Sequence, residues 1–401
     1  MPKKIVLAYS GGLDTSILIP WLQEHHPGAE VHACSGDVGQ GGDELVGLED
    51  KALASGAASC RVVDLRETFL EEVVWPCLMA GSRYEHRYLL GTAMARPVLA
   101  RAQVDYALEI GADAVAHGCT GKGNDQVRFE LAYMALAPHL EILAPWRHWE
   151  IKSREDALEY AERRGIKVTA TREKLYSRDR NLWHISHEGG AIEDPGNAPP
   201  DDAWLLTVDP RRAPDEPETL RVGFEAGRPV SLDGRPLGAV ALLEELNTRA
   251  ARHGVGRVDV LENRLVGMKS RGLYETPGGT ILWEAMTTLQ SLVLDRDTAR
   301  TMEALAIRFA DLVYYGKWFG PEREALDVFF RKVNEVATGD VDVELFKGTA
   351  TARSVRSPNG LYREDLATFG EGGEYRQEDS EGFVRLFGLP LRVASQVRRG
   401  R

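Results

Sequence analysis

The first 150 residues repeat one unit: a short apolar run rich in β-branched residues, a glycine or polar turn, then a helix-length segment apolar on one face. That rhythm restricts the region to parallel strands joined by crossover helices. Strands are expected at 5–9, 31–34, 61–63, 114–117 and 142–144, and helices near 15–25, 43–55, 66–79, 92–110 and 127–137. The strands are short and largely apolar, as strands covered on both faces should be. In an open sheet of this kind ligands sit beyond the carboxyl ends of the strands, so the turns after Tyr9, Cys34 and His117 are where a site belongs.

Beyond residue 150 the pattern changes. Ser153 followed by Asp156 opens a helix over 153–164 with a capping-box-like start. Two stretches rich in proline and charge, 193–202 and 209–218, are linkers or long arms within one domain, and they bracket an expected strand at 204–208. Alternation at Leu220, Val222 and Phe224 marks a half-exposed strand, 237–252 and 280–294 read as amphipathic helices, and 297–336 is mostly helical. Strand alternation returns at Val341, Val343 and Leu345. After the glycine-rich stretch 370–373, a last helix runs from Glu381 toward a basic end.

The chain of 401 residues is long enough for two or three domains, each with its own core. Its 61 acidic side chains outnumber 49 basic ones, a net −12 that argues against a broad grip on nucleic acid or anionic membranes. No window approaches the roughly 18 uninterrupted apolar residues of a membrane helix. The apolar run after Lys4 meets Ser10-Gly11-Gly12 and Asp14, which fits a secretory signal poorly. The four cysteines form no C-x-x-C pair and read as reduced thiols, so a cytoplasmic protein is expected.

The strongest chemical signal is Ala8-Tyr9-Ser10-Gly11-Gly12-Leu13-Asp14-Thr15-Ser16, between the first strand and the first helix. Two adjacent glycines allow a tight turn in which backbone N–H groups approach an anion, and Ser10, Thr15 and Ser16 add hydroxyls. The helix that follows points its positive end into the turn, which favours a phosphate. Asp14 either caps that helix or holds a magnesium ion carried by the phosphates. The string is neither G-x-x-x-x-G-K-[ST] nor G-x-G-x-x-G, so the P-loop kinase and dehydrogenase readings fail. It resembles the pyrophosphate loop of the ATP pyrophosphatase group, which implies attack on the α phosphate and release of AMP and pyrophosphate.

A second polar, glycine-rich constellation runs from His117 to Glu130, HGCTGKGNDQVRFE, after a strand at the same sheet edge. Beside the first loop it reads as the substrate floor. These two strings, with RYLLGTAMARP, APWR, NLWHIS and LENRLVGMKSRGLYETPGGT in this order, resemble the argininosuccinate synthase family. The likeness is close over about 4–320 and holds in length and character beyond.

The resemblance implies an α/β fold: a doubly wound parallel sheet of the adenine nucleotide alpha hydrolase type in 1–167, an α+β synthetase domain in 168–375, and an oligomerisation tail in 376–401. It implies condensation of L-citrulline with L-aspartate in arginine biosynthesis, with ATP as substrate, magnesium carried by the ATP and no direct metal ligand, no organic cofactor, and a homotetramer. Residues 8–16 with Gly36 and Gly118 would hold ATP; Thr120, Asn124 and Asp125 would receive aspartate. Citrulline would meet Tyr88, Asn124, Arg128, Ser177, Ser186, Glu262 and Tyr274. Ala93 also falls in this set, where the family often carries serine, so that hydrogen bond must come from Thr92, a backbone group or water. The proton of the aspartate amine goes either to Asp125 or to the departing phosphate oxygens.

Two rival functions stand beside this one. An RNA-modifying enzyme of the same group would need a basic surface and often catalytic thiols, and a net −12 with no thiol pair speaks against it. A non-catalytic ATP-binding scaffold has no use for Thr120, Asn124, Asp125 and Arg128 together.

Overall fold

Five apolar runs of the N-terminal region form β1 (Lys4–Ala8), β2 (Glu30–Asp37), β3 (Ser59–Asp64), β4 (Ala114–Ala116) and β5 (Glu141–Leu143). In the computed structural model they pair as one parallel sheet of order β3-β2-β1-β4-β5. The structure describes residues 1–151, 153–166, 176–368 and 375–400. Both faces of the sheet are covered. Ile5 and Leu7 pack with Ile17 and Leu22 on one side, and Val6 packs with Val104 and Phe129 on the other. The chain reverses direction across the sheet between β1 and β4, and this opens a crevice at their carboxyl ends.

Helices Leu13–His25, Gly91–Glu109 and Asp125–Leu136 follow the expected pattern. Segment 43–55 does not form one helix. It breaks into Gly42–Leu45 and Leu48–Ala54 because Val46 leaves the helical region, with ψ of 125°. Segment 66–79 is helical throughout, but its middle turn, Leu70–Val74, widens to a π-helix ahead of Pro76, which has no N–H to donate back. At Arg154–Arg163 the capping box forms: Asp156 N donates to Ser153 Oγ at 3.0 Å, and Ser153 N donates to Asp156 Oδ2 at 2.9 Å.

The later strands are β6 (Ser177–Arg180), β7 (Ile185–Glu188), β8 (Glu218–Glu225), β9 (Arg228–Leu232), β10 (Arg235–Pro236), β11 (Arg257–Asn263), β12 (Lys269–Glu275), β13 (Gly339–Phe346) and β14 (Thr349–Arg356). They form two antiparallel sheets, β10-β9-β8-β13-β14 and β11-β12-β7-β6, packed with helices Ala239–Arg252, Pro277–Val293, Arg296–Tyr314 and Pro321–Asn334. The strand expected at 204–208 is absent. The N–H groups of Leu205, Leu206 and Thr207 donate to the Glu275 carboxylate instead of to a ladder, and so the segment is an extended strap.

One apolar core joins the two halves: Trp75, Met94 and Tyr88 from the first pack with Val222, Leu282 and Phe309 from the second. Met1–Asn359 is accordingly a single compact unit, and Gly360–Arg401 is another. Within the second unit, helices Gln377–Phe387 and Leu389–Arg399 leave Phe383, Leu386, Phe387, Leu389 and Leu391 largely exposed. The boundary expected at 167/168 and the glycine-rich stretch 370–373 lie outside the described residues. All four cysteines are free thiols. Among the described residues no helix is long and apolar enough to cross a membrane.

Candidate functional site

The first loop is built as its composition demands. Tyr9 N donates to Cys34 O at 2.8 Å, extending β1 against β2, and then the chain turns at Gly11 (φ +72°) to start a helix whose N-cap is Gly12. A side chain at Gly11 would combine that strained φ with a Cβ 2.3 Å from Leu48 Cδ1. The turn is tied down from both sides: Lys51 donates to Gly11 O, and Ser10 Oγ meets Thr15 Oγ1 at 3.1 Å. Asp14 sits in the first helical turn, not at the cap, where its charge faces the helix N-terminus favourably.

Beside the loop lies a cleft of about 310 Å³ lined by Ala8, Tyr9, Ser10 and Thr15, by Ser35 and Gly36 at the end of β2 and Val38 just beyond it, and by His117 and Gly118 after β4. Gly11, Gly12, Leu13 and Asp14 form the outer turn, and Ser16 is buried behind it, 3.1 Å from the Tyr9 hydroxyl. Gly36 has no room for a side chain, since a Cβ would lie 2.5 Å from Leu65 Cδ1 and 2.6 Å from Leu99 Cδ2.

A second cleft of about 430 Å³ opens from the first, sharing Ser10, Gly118 and Asp125 with it. Its lining brings together Thr120, Asn124, Asp125 and Arg128 from the second loop, Tyr88 and Thr92 from the entry to helix Gly91–Glu109, and Ser177, Ser186, Glu262 and Tyr274 from the β6–β7–β12–β11 sheet. Residues more than a hundred positions apart thus surround one space. Ala93 is the exception. It is 1% exposed in the core and lines neither cleft, whereas its neighbour Thr92 does.

Sheet register explains part of this. Ser186 pairs with Tyr274 across β7 and β12, so both side chains leave the sheet on the same face. The Tyr274 ring stacks on Tyr88 with centroids 4.1 Å apart. Tyr274 and Tyr314 both donate to the buried Glu262 carboxylate, at 2.7 and 2.9 Å. Asn124 Nδ2 donates to the Tyr314 hydroxyl at 2.8 Å and its Oδ1 accepts from Leu265 N at 2.9 Å, coupling the second loop to the same cluster. Burial and the neighbouring Glu262 push the Tyr274 hydroxyl well above its ordinary pKa, so it remains a donor.

The NLWHIS string supplies the scaffold. Asn181 Nδ2 donates to Gly91 O at 3.0 Å, Trp183 Nε1 to Leu89 O at 2.9 Å, and Thr92 Oγ1 lies 3.0 Å from His184 Nε2. These bonds hold the turn between β6 and β7 on the start of helix Gly91–Glu109, where Leu90 is held at φ +61°. Burial drives the His184 pKa down to about 3, so its ring is neutral.

Charge concentrates where the clefts meet. Arg96 bridges Asp125 (2.7 Å) and Asp179, and Arg128 Nη1 donates to Asp125 Oδ1 at 2.9 Å. Burial opposes ionisation of Asp125, but Arg96 and Arg128 outweigh it and hold the carboxyl below the usual range. At Asp179 burial wins over Arg96, and the carboxyl is raised. Arg96, Asp179, Tyr314 and the Glu188–Arg264 pair also line the second cleft and were not singled out from the sequence. Arg96 lies inside the RYLLGTAMARP string and Asp179 inside a short polar run, but no spacing marks either as a site residue.

Residues 4–167 match the family model described as the arginosuccinate synthase N-terminal HUP domain, and residues 176–394 match the arginosuccinate synthase C-terminal domain. The chain belongs to the argininosuccinate synthase family. The argininosuccinate synthase of Carboxydothermus hydrogenoformans is 55% identical over 399 residues, covering 100% of this chain and 99% of that protein. That of Roseiflexus sp. (strain RS-1) is 56% identical over 390 residues, 97% of this chain and 96% of the other. The chloroplastic argininosuccinate synthase of Arabidopsis thaliana is 55% identical over 398 residues, 99% of this chain and 80% of that protein. Membership therefore extends across both halves of the two-cleft unit, including the sheet that carries Ser186 and Tyr274.

Proposed function

We propose that the chain condenses L-citrulline with L-aspartate at the expense of ATP, releasing AMP and pyrophosphate through a citrullyl-adenylate, in arginine biosynthesis. The observation that carries this reading is the junction of the two clefts at Ser10, Gly118 and Asp125, on the carboxyl side of β1 and β4. A nucleotide in the first cleft and an amino acid in the second would meet at that junction.

The chemistry needs alignment more than covalent help. A urea carbonyl is a poor electrophile; attack of its oxygen on the α phosphate turns that oxygen into a good leaving group, which the aspartate amine then displaces as AMP. We assign residues 8–16, Gly36 and Gly118 to ATP, which brings magnesium with it. Citrulline is assigned to Tyr88, Asn124, Arg128, Ser177, Ser186, Glu262 and Tyr274, with Thr92 in the place Ala93 does not reach. Glu262 suits an α-ammonium and Arg128 a carboxylate. Thr120, Asn124 and Asp125 are assigned to aspartate. An Asp125 carboxyl held low by two arginines is a weak base, so its role is to orient the aspartate ammonium, and the released proton goes to phosphate oxygens.

We assign residues 1–167 to nucleotide binding, 168–375 to the amino acids and 376–401 to assembly of a homotetramer, with the exposed Phe383, Phe387 and Leu391 supporting the last. Four free thiols support a reducing, cytoplasmic setting. The test is to mix the protein with magnesium-ATP, citrulline and aspartate and follow AMP and pyrophosphate. AMP formation that requires both amino acids is expected. ADP formation, dependence on RNA, or absence of turnover overturns the reading.

A further inference from the structure

A triphosphate brings about four negative charges at neutral pH, yet the loop at 8–16 contains no lysine or arginine and one aspartate. Among the described residues, three arginines line the first cleft: Arg96, Arg178 and Arg180. Arg96 is already neutralised between Asp125 and Asp179. Arg178 and Arg180 form no ion pair among the described residues, and both are exposed. They stand on β6, the edge strand of the β11-β12-β7-β6 sheet, so the charge reaches the nucleotide cleft from the other half of the chain.

Along β6 the side chains alternate between the two faces of the sheet, while Arg178 and Asp179 each border both clefts. Ser177 and Asp179 alternate with Arg178 and Arg180, and the β6–β7 pairing of Arg178 with His187 and Arg180 with Ile185 sets their phase. Arg178 Nε donates to His187 Nδ1 at 3.1 Å, which fixes the stem and leaves the two terminal nitrogens for another acceptor. Arg178 lines both clefts together with Ser10, the first hydroxyl of the phosphate loop. The Arg180 guanidinium lies against the loop after β2, with one terminal nitrogen 3.7 Å from where a Gly41 side chain would begin.

We propose that Arg178 and Arg180 form a cationic clamp, facing the glycine turn across the first cleft, that grips the outer phosphates of ATP and then the departing pyrophosphate. This rests on the assignment of that cleft to ATP. The two walls have complementary parts: backbone N–H groups and hydroxyls at the turn, guanidinium forks on β6. Because β6 also carries Ser177 and Asp179 into the second cleft, seating the phosphates on the arginines would draw the nucleotide and amino-acid sites into register.

The test uses the full-length chain and the variants Arg178→Ala, Arg180→Ala, the double alanine and the double lysine. Steady-state rates give KM for ATP and for citrulline, and inorganic pyrophosphate serves as inhibitor. Each single alanine is expected to raise both the ATP KM and the pyrophosphate inhibition constant about tenfold, and the double variant more, with a smaller rise in citrulline KM because β6 borders both clefts. The double lysine should recover part of the loss, and added salt should weaken the native chain more than the double alanine. Unchanged ATP KM and pyrophosphate inhibition overturn the clamp. So does a raised ATP KM with unchanged pyrophosphate inhibition, which would place the arginines on the base or ribose. A native chain that forms no AMP from both amino acids defeats the functional reading instead, and calorimetric titration of pyrophosphate into native and double-alanine chains then still decides the clamp.

Discussion

The Tyr274 hydroxyl donates to Glu262 at 2.7 Å while its ring stacks on Tyr88, so one residue fixes both the acid and the aromatic wall of the second cleft. With the Tyr314 hydroxyl on its other oxygen, Glu262 is oriented before any ligand arrives. Tyr274→Phe keeps the stacking and removes one donor. A hydrogen bond to a charged group contributes roughly 1.5–3 kcal/mol, so citrulline KM should rise about tenfold or more while ATP KM stays near its native value. Equal changes in both constants would argue against placing citrulline at Glu262.

Asp125→Asn tests the division of labour at the junction. The variant loses charge opposite Arg96 and Arg128 but keeps the shape. Citrulline-dependent exchange of pyrophosphate into ATP reports adenylation alone, and overall AMP release reports both half-reactions. The second is expected to fall at least tenfold further than the first. Similar losses in both would contradict the assignment of Asp125 to aspartate.

Gly11→Ala places a Cβ 2.3 Å from Leu48 Cδ1 at a residue with φ +72°. The αL strain and the displaced Leu48 together should cost roughly 1–3 kcal/mol, read as a lower urea midpoint. ATP KM should rise as well, since the turn that aims the N–H groups must shift; unaltered stability and KM would show that the turn absorbs a side chain.

The strap over 204–208 predicts a pH dependence. Burial opposes charge on Glu275, but bonds from His187, Thr207 and the backbone N–H groups of Leu205 and Leu206 outweigh it and hold the carboxyl below the usual range. A folded pKa lowered in this way contributes stability that is complete above the unfolded value, near pH ~4.3, and is lost as pH falls through the folded one. Glu275→Gln should therefore cost roughly 2–3 kcal/mol at pH 7 and flatten the fall in stability on acidification. Denaturant midpoints at pH 7 and pH 4 measure this, and parallel curves for the two proteins would refute it.

Removal of Glu381–Arg401 takes away Phe383, Leu386, Phe387, Leu389 and Leu391, all largely exposed on the second unit. Light scattering should find smaller assemblies than the tetramer proposed for the native chain. An unchanged mass would move assembly to another surface.

The parallel sheet, the phosphate turn and the capped helix at Arg154 were readable along the chain because each is decided by neighbours in sequence: strand period, adjacent glycines, a serine three residues before an aspartate. The identities of Tyr88, Arg128, Ser186 and Tyr274 came from matching strings, and their convergence is a fact of tertiary structure alone. Ser186 and Tyr274 share a face only through the register of β7 on β12, and Arg96 acquires its role only by meeting Asp179 from a strand 83 residues away. The strap at 204–208 shows the same limit in reverse: its sequence suits a strand, but a distant buried carboxylate offered its N–H groups better partners. Local sequence thus settled the parallel sheet, the phosphate turn and the capped helix, and the chemistry that they carry. Long-range packing decided which side chains face one another, because a hydrogen bond or ion pair depends on positions in space that a one-dimensional pattern does not encode.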